Sequence, residues 1–106
     1  MSVPHHKLVR DRIPEIIQSE GRHPVTRVLD DASYRAALLS KLAEEAQEAS
    51  DATTADLPDE LADVLEVLRA LTATAGMSWT ELLALADDKH SRRGGFEKRI
   101  FLEFVA

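Results

Sequence analysis

Two stretches of this chain carry apolar residues at helical spacing, and only a short polar connection separates them. In the first, Leu38, Leu42, Ala46 and Ala49 recur at steps of four, four and three, the repeat of a single helix face. In the second, Leu61, Val64, Leu65, Leu68 and Leu71 form a stripe between Pro58 and Gly76. The link at 53–56 is short and polar, and short helix-to-helix links make antiparallel neighbours. The pair restricts the fold to helix packed on helix. Composition agrees, because alanine and leucine dominate the apolar set and aromatic residues make up only 5% of the chain.

The rest of the chain extends this plan. Asp11 to Glu20 reads as a short first helix, with Pro14 in its first turn and Gly21 as its stop. The second helix starts at Asp30 or Asp31, either of which suits an N-cap, and runs to about Asp51. The third spans about Leu57 to Ala75. The fourth opens on Ser78 and Glu81, the two members of a capping box, and reaches about Arg92 before Gly94 and Gly95. Residues 23–29 and 96–105 alternate in character and read as two strands that pair with each other. Residues 1–6, with His5 and His6, read as an extended tip. The expectation is one mainly all-α domain over 1–106, a four-helix core with a two-stranded β ribbon.

Cysteine is absent, so disulfides and thiolate metal sites are excluded, and a metal must use oxygen or histidine ligands. No run is apolar and long enough to span a bilayer, and the N-terminus has no signal core. A cytoplasmic protein without a membrane partner is expected. The net charge of −6 counts against nucleic acid, which requires a basic face. At 106 residues the core is small. Leucines fall on more than one side of the helices, with Leu38, Leu39 and Val67 needing cover, so a homo-oligomer is expected, a dimer or possibly a tetramer.

The acids are concentrated on the two central helices. The second carries Glu44, Glu45 and Glu48, and the third carries Glu60 and Asp63. Residues three or four apart share a helix face, so Glu45 projects with Glu48 and Glu60 with Asp63. At about 100° per residue, Glu45 falls within roughly 20° of Leu38, inside the apolar stripe. A carboxylate aimed at a core must be neutralised or paired. Acidic faces on helices are usually just solvated; the position of Glu45 is what argues for a hard cation held by oxygen ligands, magnesium or manganese. Glu66 falls opposite Leu68 and Leu71 and is expected at the surface or in an interface.

Basic residues flank this acidic centre. Lys7, Arg10 and Arg12 precede the first helix; Lys89, Arg92 and Arg93 close the fourth. Such side chains suit phosphate oxygens. At the end of a helix they also simply complement its dipole. Gly94-Gly95 is too short for a phosphate-cradling loop.

Glu44-Glu45-x-x-Glu48 followed by Glu60-x-x-Asp63 resembles the EExxE…ExxD signature of the MazG-like all-α NTP pyrophosphohydrolase superfamily. That superfamily includes MazG, dimeric dUTPases and phosphoribosyl-ATP pyrophosphohydrolase. The opening Lys7-Leu8-Val9-Arg10-Asp11-Arg12-Ile13-Pro14 and the ending Arg93-Gly94-Gly95-Phe96-Glu97-Lys98-Arg99-Ile100 resemble its house-cleaning noncanonical NTP pyrophosphatase branch. The resemblance covers roughly residues 7–102, and the gap between the two acidic halves lies at the short end of the family's range. It implies a magnesium ion held by Glu45, Glu48, Glu60 and Asp63, with manganese an alternative. Catalytic duty would fall to Glu45 and to Glu44, which would join a second metal or orient a water. The resemblance further implies a triphosphate tail bound by Lys89 and Arg93, then Arg92, Arg10, Arg12 and Lys7. The implied reaction converts a nucleoside triphosphate to a monophosphate and pyrophosphate. Trp79 and Tyr34 are candidates for the base pocket. Phosphoribosyl-ATP hydrolysis and a non-enzymatic helical interaction module are the competing readings.

Overall fold

The computed structural model describes residues 6–106 and consists of four helices, α1 (Ile13–Ser19), α2 (Asp31–Asp51), α3 (Leu57–Thr74) and α4 (Trp79–Arg93). The expected tip at 1–6 lies, except for His6, outside the described residues. Helix boundaries follow local chemistry. Asp30 caps α2 by accepting the Ser33 backbone N–H at 2.8 Å. Pro14 and Pro58 occupy the first turns of α1 and α3, where a missing N–H costs nothing. The capping box of α4 closes in both directions: Ser78 Oγ accepts from the Glu81 N–H at 3.1 Å, and Glu81 Oε1 accepts from the Ser78 N–H at 3.3 Å. Gly76 ends the α3 turn at φ +74, a left-handed conformation that glycine adopts without steric cost.

The core is the α2–α3 hairpin. These helices pack along each other, α4 touches α3, and α1 packs against no other helix. The expected four helices are present, but they do not close into one bundle. Leu38 of α2 and Val67 of α3 are the buried apolar side chains among the described residues. Thr72 is also buried and donates its hydroxyl to the Leu68 carbonyl at 2.6 Å. Arg69 sits over the Trp79 ring at 5.9 Å from its centroid, which links α3 to α4 through a cation–π contact. No helix among the described residues is long and apolar enough to cross a membrane.

The β ribbon is not formed: no strand occurs among the described residues. Residues 96–105 begin with a turn, closed by the Arg99 N–H on the Phe96 carbonyl at 3.0 Å with Arg99 at φ +57. That turn breaks the alternation the sequence offered. In 23–29, Pro24 removes a donor, and Val25 and Val28 are both almost fully exposed. Neither segment pairs with a strand among the described residues.

With so few buried apolar groups, each counts. Leu38→Ala is expected to lower stability by about 2–5 kcal/mol, whereas Ser78→Ala, which removes one half of the capping box, costs about 1 kcal/mol. Urea unfolding of the two variants checks this order, and an equal or greater loss in Ser78→Ala would show that the α2–α3 seam is not the core.

Candidate metal centre

The hairpin geometry brings the two acidic segments together. Glu45 sits about two-thirds of the way along α2, on the same face as Leu38, and is 8% exposed. Glu60 and Asp63 lie on one face of α3, one turn apart. One carboxylate oxygen from each of Glu45, Glu60 and Asp63 lies within 4.8 Å of the others. Glu45 Oε2 and Glu60 Oε2 are both buried without a hydrogen-bond partner. Buried carboxylate oxygens are ordinarily satisfied, so the arrangement has room for a donor or a cation between the helices.

Two side-chain cations border the cluster. Lys41 Nζ lies 3.5 Å from Glu45 Oε1, one turn back on α2, and 4.0 Å from Glu44. Arg10, fifty-three residues distant in sequence, reaches in from the segment before α1 and donates to Asp63 Oδ1 at 2.7 Å. The charge balance is incomplete at Glu45. Burial pushes its carboxyl above the ordinary 4.5, the adjacent Glu48 and the nearby Asp63 push the same way, and Lys41 opposes them.

A cleft of about 440 Å³ opens beside the cluster. Its apolar wall includes Tyr34, Leu38 and Val67; its polar rim includes Arg10, Lys41, Glu45, Asp63, Glu66 and Arg69. Three of the four expected metal ligands therefore converge. The fourth, Glu48, is exposed, lies next to Glu45 and is outside the three-residue group. Glu44 is about half exposed, 4.0 Å from Lys41 Nζ.

The basic residues divide by position. Arg10 is part of the site, while exposed Lys89, Arg92 and Arg93 do not line the cleft, nor do Lys7 and Arg12. Arg92 pairs with Asp88 at 2.9 Å and Arg12 with Glu15, local contacts within or beside one helix. Glu66, expected at the surface or in an interface, is partly exposed at the cleft. It lines the cleft, 3.8 Å from Arg69, with Oε2 buried and unpartnered. The helical wheel measured it against Leu68 and Leu71, but the buried face of α3 centres on Val67, its neighbour. Of the two aromatic candidates, Tyr34 lines the cleft and Trp79 does not. Lys41 and Arg69 escaped the sequence reading, although their spacings of four and three to Glu45 and Glu66 were signals for them.

No family model matches the chain, and no solved structure matches it. An uncharacterized protein of Mycolicibacterium smegmatis is 62% identical over 39 residues, a match that covers 37% of this chain and 40% of that protein. The match thus spans less than half of either chain.

The raised carboxyl of Glu45 makes stability depend on pH in a defined direction. Below 4.5 the group is protonated in both folded and unfolded states, and ionisation costs nothing. As pH rises from 4.5 through the higher folded value, the unfolded chain releases its proton first, so folded stability falls. Glu45→Gln removes this loss. In metal-free protein the melting temperature of the variant minus that of the wild type is expected near zero below pH 4.5 and positive at pH 7. A difference that is constant or negative across that range would mean that Glu45 is adequately paired by Lys41.

Proposed function

We propose that this chain is a magnesium-dependent nucleoside triphosphate pyrophosphohydrolase of the MazG-like superfamily, acting on a noncanonical nucleotide. The observation that carries the reading is the convergence of Glu45, Glu60 and Asp63 across α2 and α3, with two buried oxygens left unpartnered. An oxygen-only donor set of this kind suits a hard divalent ion. Glu45, Glu60 and Asp63 would hold it, and Glu48 borders the group. Manganese fits the same donors. Bound there, magnesium would offset charge on phosphate oxygens and would favour deprotonation of an attacking water.

The chain's own residues supply the rest. Arg10, Lys41 and Arg69 place cations along the cleft rim, where they neutralise phosphate oxygens and the charge that develops on departing pyrophosphate. Lys89, Arg92 and Arg93 are left as a solvated, dipole-matched helix end. Tyr34, Leu38 and Val67 give the apolar wall against which a nucleobase packs. A water oxygen bonds to one phosphorus of the α–β bridge, the bond from that phosphorus to the bridging oxygen breaks, the bridging oxygen leaves with the other phosphate group, and a carboxylate takes the water's proton. Glu44, half exposed at the edge of the cluster, is the residue assigned to orienting that water. The position of the cleaved bond follows from the resemblance alone.

A panel of standard and noncanonical triphosphates, with phosphoribosyl-ATP included, is assayed for pyrophosphate release with magnesium. Turnover of at least one triphosphate is expected, with loss of about 100-fold or more in Glu45→Gln and none in Asp87→Asn on the exposed side of α4. Magnesium is also expected to raise the wild-type melting temperature, since a ligand of the native state stabilises it, and to leave Glu45→Gln unmoved. No hydrolysis of any member together with a melting curve indifferent to magnesium and manganese would sink the reading and favour a helical interaction module.

A further inference from the structure

The carboxylates occupy one end of the cleft, and the hairpin orders what lies beyond them. α2 and α3 pack along each other across the link at 52–56, so they run antiparallel. Going from Glu45 toward the start of α2 therefore matches going from Asp63 toward the end of α3. Along that direction the lining side chains are Lys41 and Glu66, then Leu38 and Val67, then Tyr34 and Ala70. At 1.5 Å per residue, Glu66 lies about 4.5 Å beyond Asp63 along the axis, and Ala70 about 10 Å beyond it. The cleft thus passes from a charged end to an aromatic and aliphatic end.

Glu66 stands where the character changes. Its side chain is partly exposed, but Oε2 is buried and accepts no hydrogen bond. Arg69 does not supply one. Its Nη1 stands 3.8 Å from that oxygen, beyond hydrogen-bond reach, and its guanidinium lies over the Trp79 ring. Glu66 is also outside the group of three carboxylates that converge on one point. A carboxylate only accepts hydrogen bonds, so this position calls for a donor from whatever fills the cleft.

We propose, resting on the nucleotide reading above, that Glu66 selects the sugar: Oε2 accepts the 2′-hydroxyl of a ribose, and the substrates are ribonucleoside triphosphates. With the phosphates at the charged end and the base against Tyr34, the group between them is the sugar, which is joined to one by an ester oxygen and to the other directly. A carboxylate beside a ribose is an established way to read a 2′-hydroxyl. Glu66 adjoins Val67, part of the wall on which the base packs, and the 2′-carbon adjoins the carbon that bears the base. A base N–H is the poorer match. Tyr34 lies about 10 Å along the axis from Lys41, at whose level Glu66 stands, so the base lies further along than Glu66. A 2′-deoxyribose leaves Oε2 without its donor, and that loss is the basis of selection.

The test uses, for each base, a ribonucleoside triphosphate and its 2′-deoxy counterpart. kcat/KM is measured with magnesium, and binding of the α,β-methylene analogues of the same pairs is measured by calorimetry. Wild type is expected to favour ribose by about 10-fold or more in both, the effect of a hydrogen bond to a charged group. Glu66→Ala is expected to bring that ratio to about one. If Glu66→Ala fails to fold, Glu66→Gln, which keeps the shape and loses the charge, is expected to lower the ratio. A carboxylate that merely offsets Arg69 would affect both sugars alike and leave the ratio standing. Equal use of the two sugars by wild type, or a ratio unmoved by either variant, would overturn the assignment while hydrolysis itself stands. A variant that alters discrimination among bases and not between sugars would overturn it too, and would place Glu66 at the base edge. Hydrolysis of no triphosphate would strike the pyrophosphohydrolase reading instead. Binding of the analogues would then decide the sugar assignment, and equal or absent binding would overturn it.

Discussion

A carboxylate inside the apolar seam of a helical hairpin is the constraint from which the rest of this structure is best understood. Glu45 shares a face of α2 with Leu38 and is nearly as buried. An unpaired charge in such a place costs several kcal/mol, so the surroundings must answer it. Lys41 answers from the preceding turn of α2, and Arg10 neutralises Asp63 across the seam. The two cations hold the acids close together without satisfying every oxygen, since Glu45 Oε2 and Glu60 Oε2 remain without partners. A helical pair assembled for stability alone would place leucine at position 45. The glutamate marks where the hairpin departs from good packing.

That departure also explains how the segment before α1 is anchored. α1 packs against no other helix, and the arginine bridge to Asp63 together with Leu8 and Val9 at the cleft wall ties this part of the chain to the hairpin. An exposed ion pair contributes little on its own. Here the pair joins residues fifty-three apart and completes one side of the cleft. The acid on α3 thus has two duties, closing the acidic cluster and fastening the N-terminal segment.

The sequence carried the helices and the acidic convergence, because both depend on spacing within a single helix. The steps from Leu38 to Ala49, the Asp30 cap and the Ser78–Glu81 box are local rules, and the structure follows them. What the sequence did not carry depends on which elements meet. The wheel of α3 was centred on its leucines, whereas packing centres it on Val67. That rotation moves Glu66 into the cleft and turns Leu61 and Leu65 outward. The ribbon failed for the related reason that alternation selects a conformation but supplies no partner strand. The reach of the basic side chains depends on tertiary placement, which spacing within one helix does not encode. Arg10 joins the cluster through a tertiary contact that no local pattern encodes.

The thin core and the acidic cluster are linked, because the same two side chains serve both. Leu38 and Val67, the buried apolar residues among those described, line the cleft that Glu45 and Asp63 enter. Adding apolar bulk there would strengthen the hydrophobic seam but would desolvate Glu45 further, and the gain would be offset by the cost of a more deeply buried charge. The hairpin therefore cannot become more stable by improving its own centre while it keeps the glutamate. Stability has to come from elsewhere: from charge entering the cluster, or from apolar area covered at the outer face of α3 and along residues 96–105. The first neutralises what the seam leaves unpaired, and the second removes from water what the seam is too short to bury.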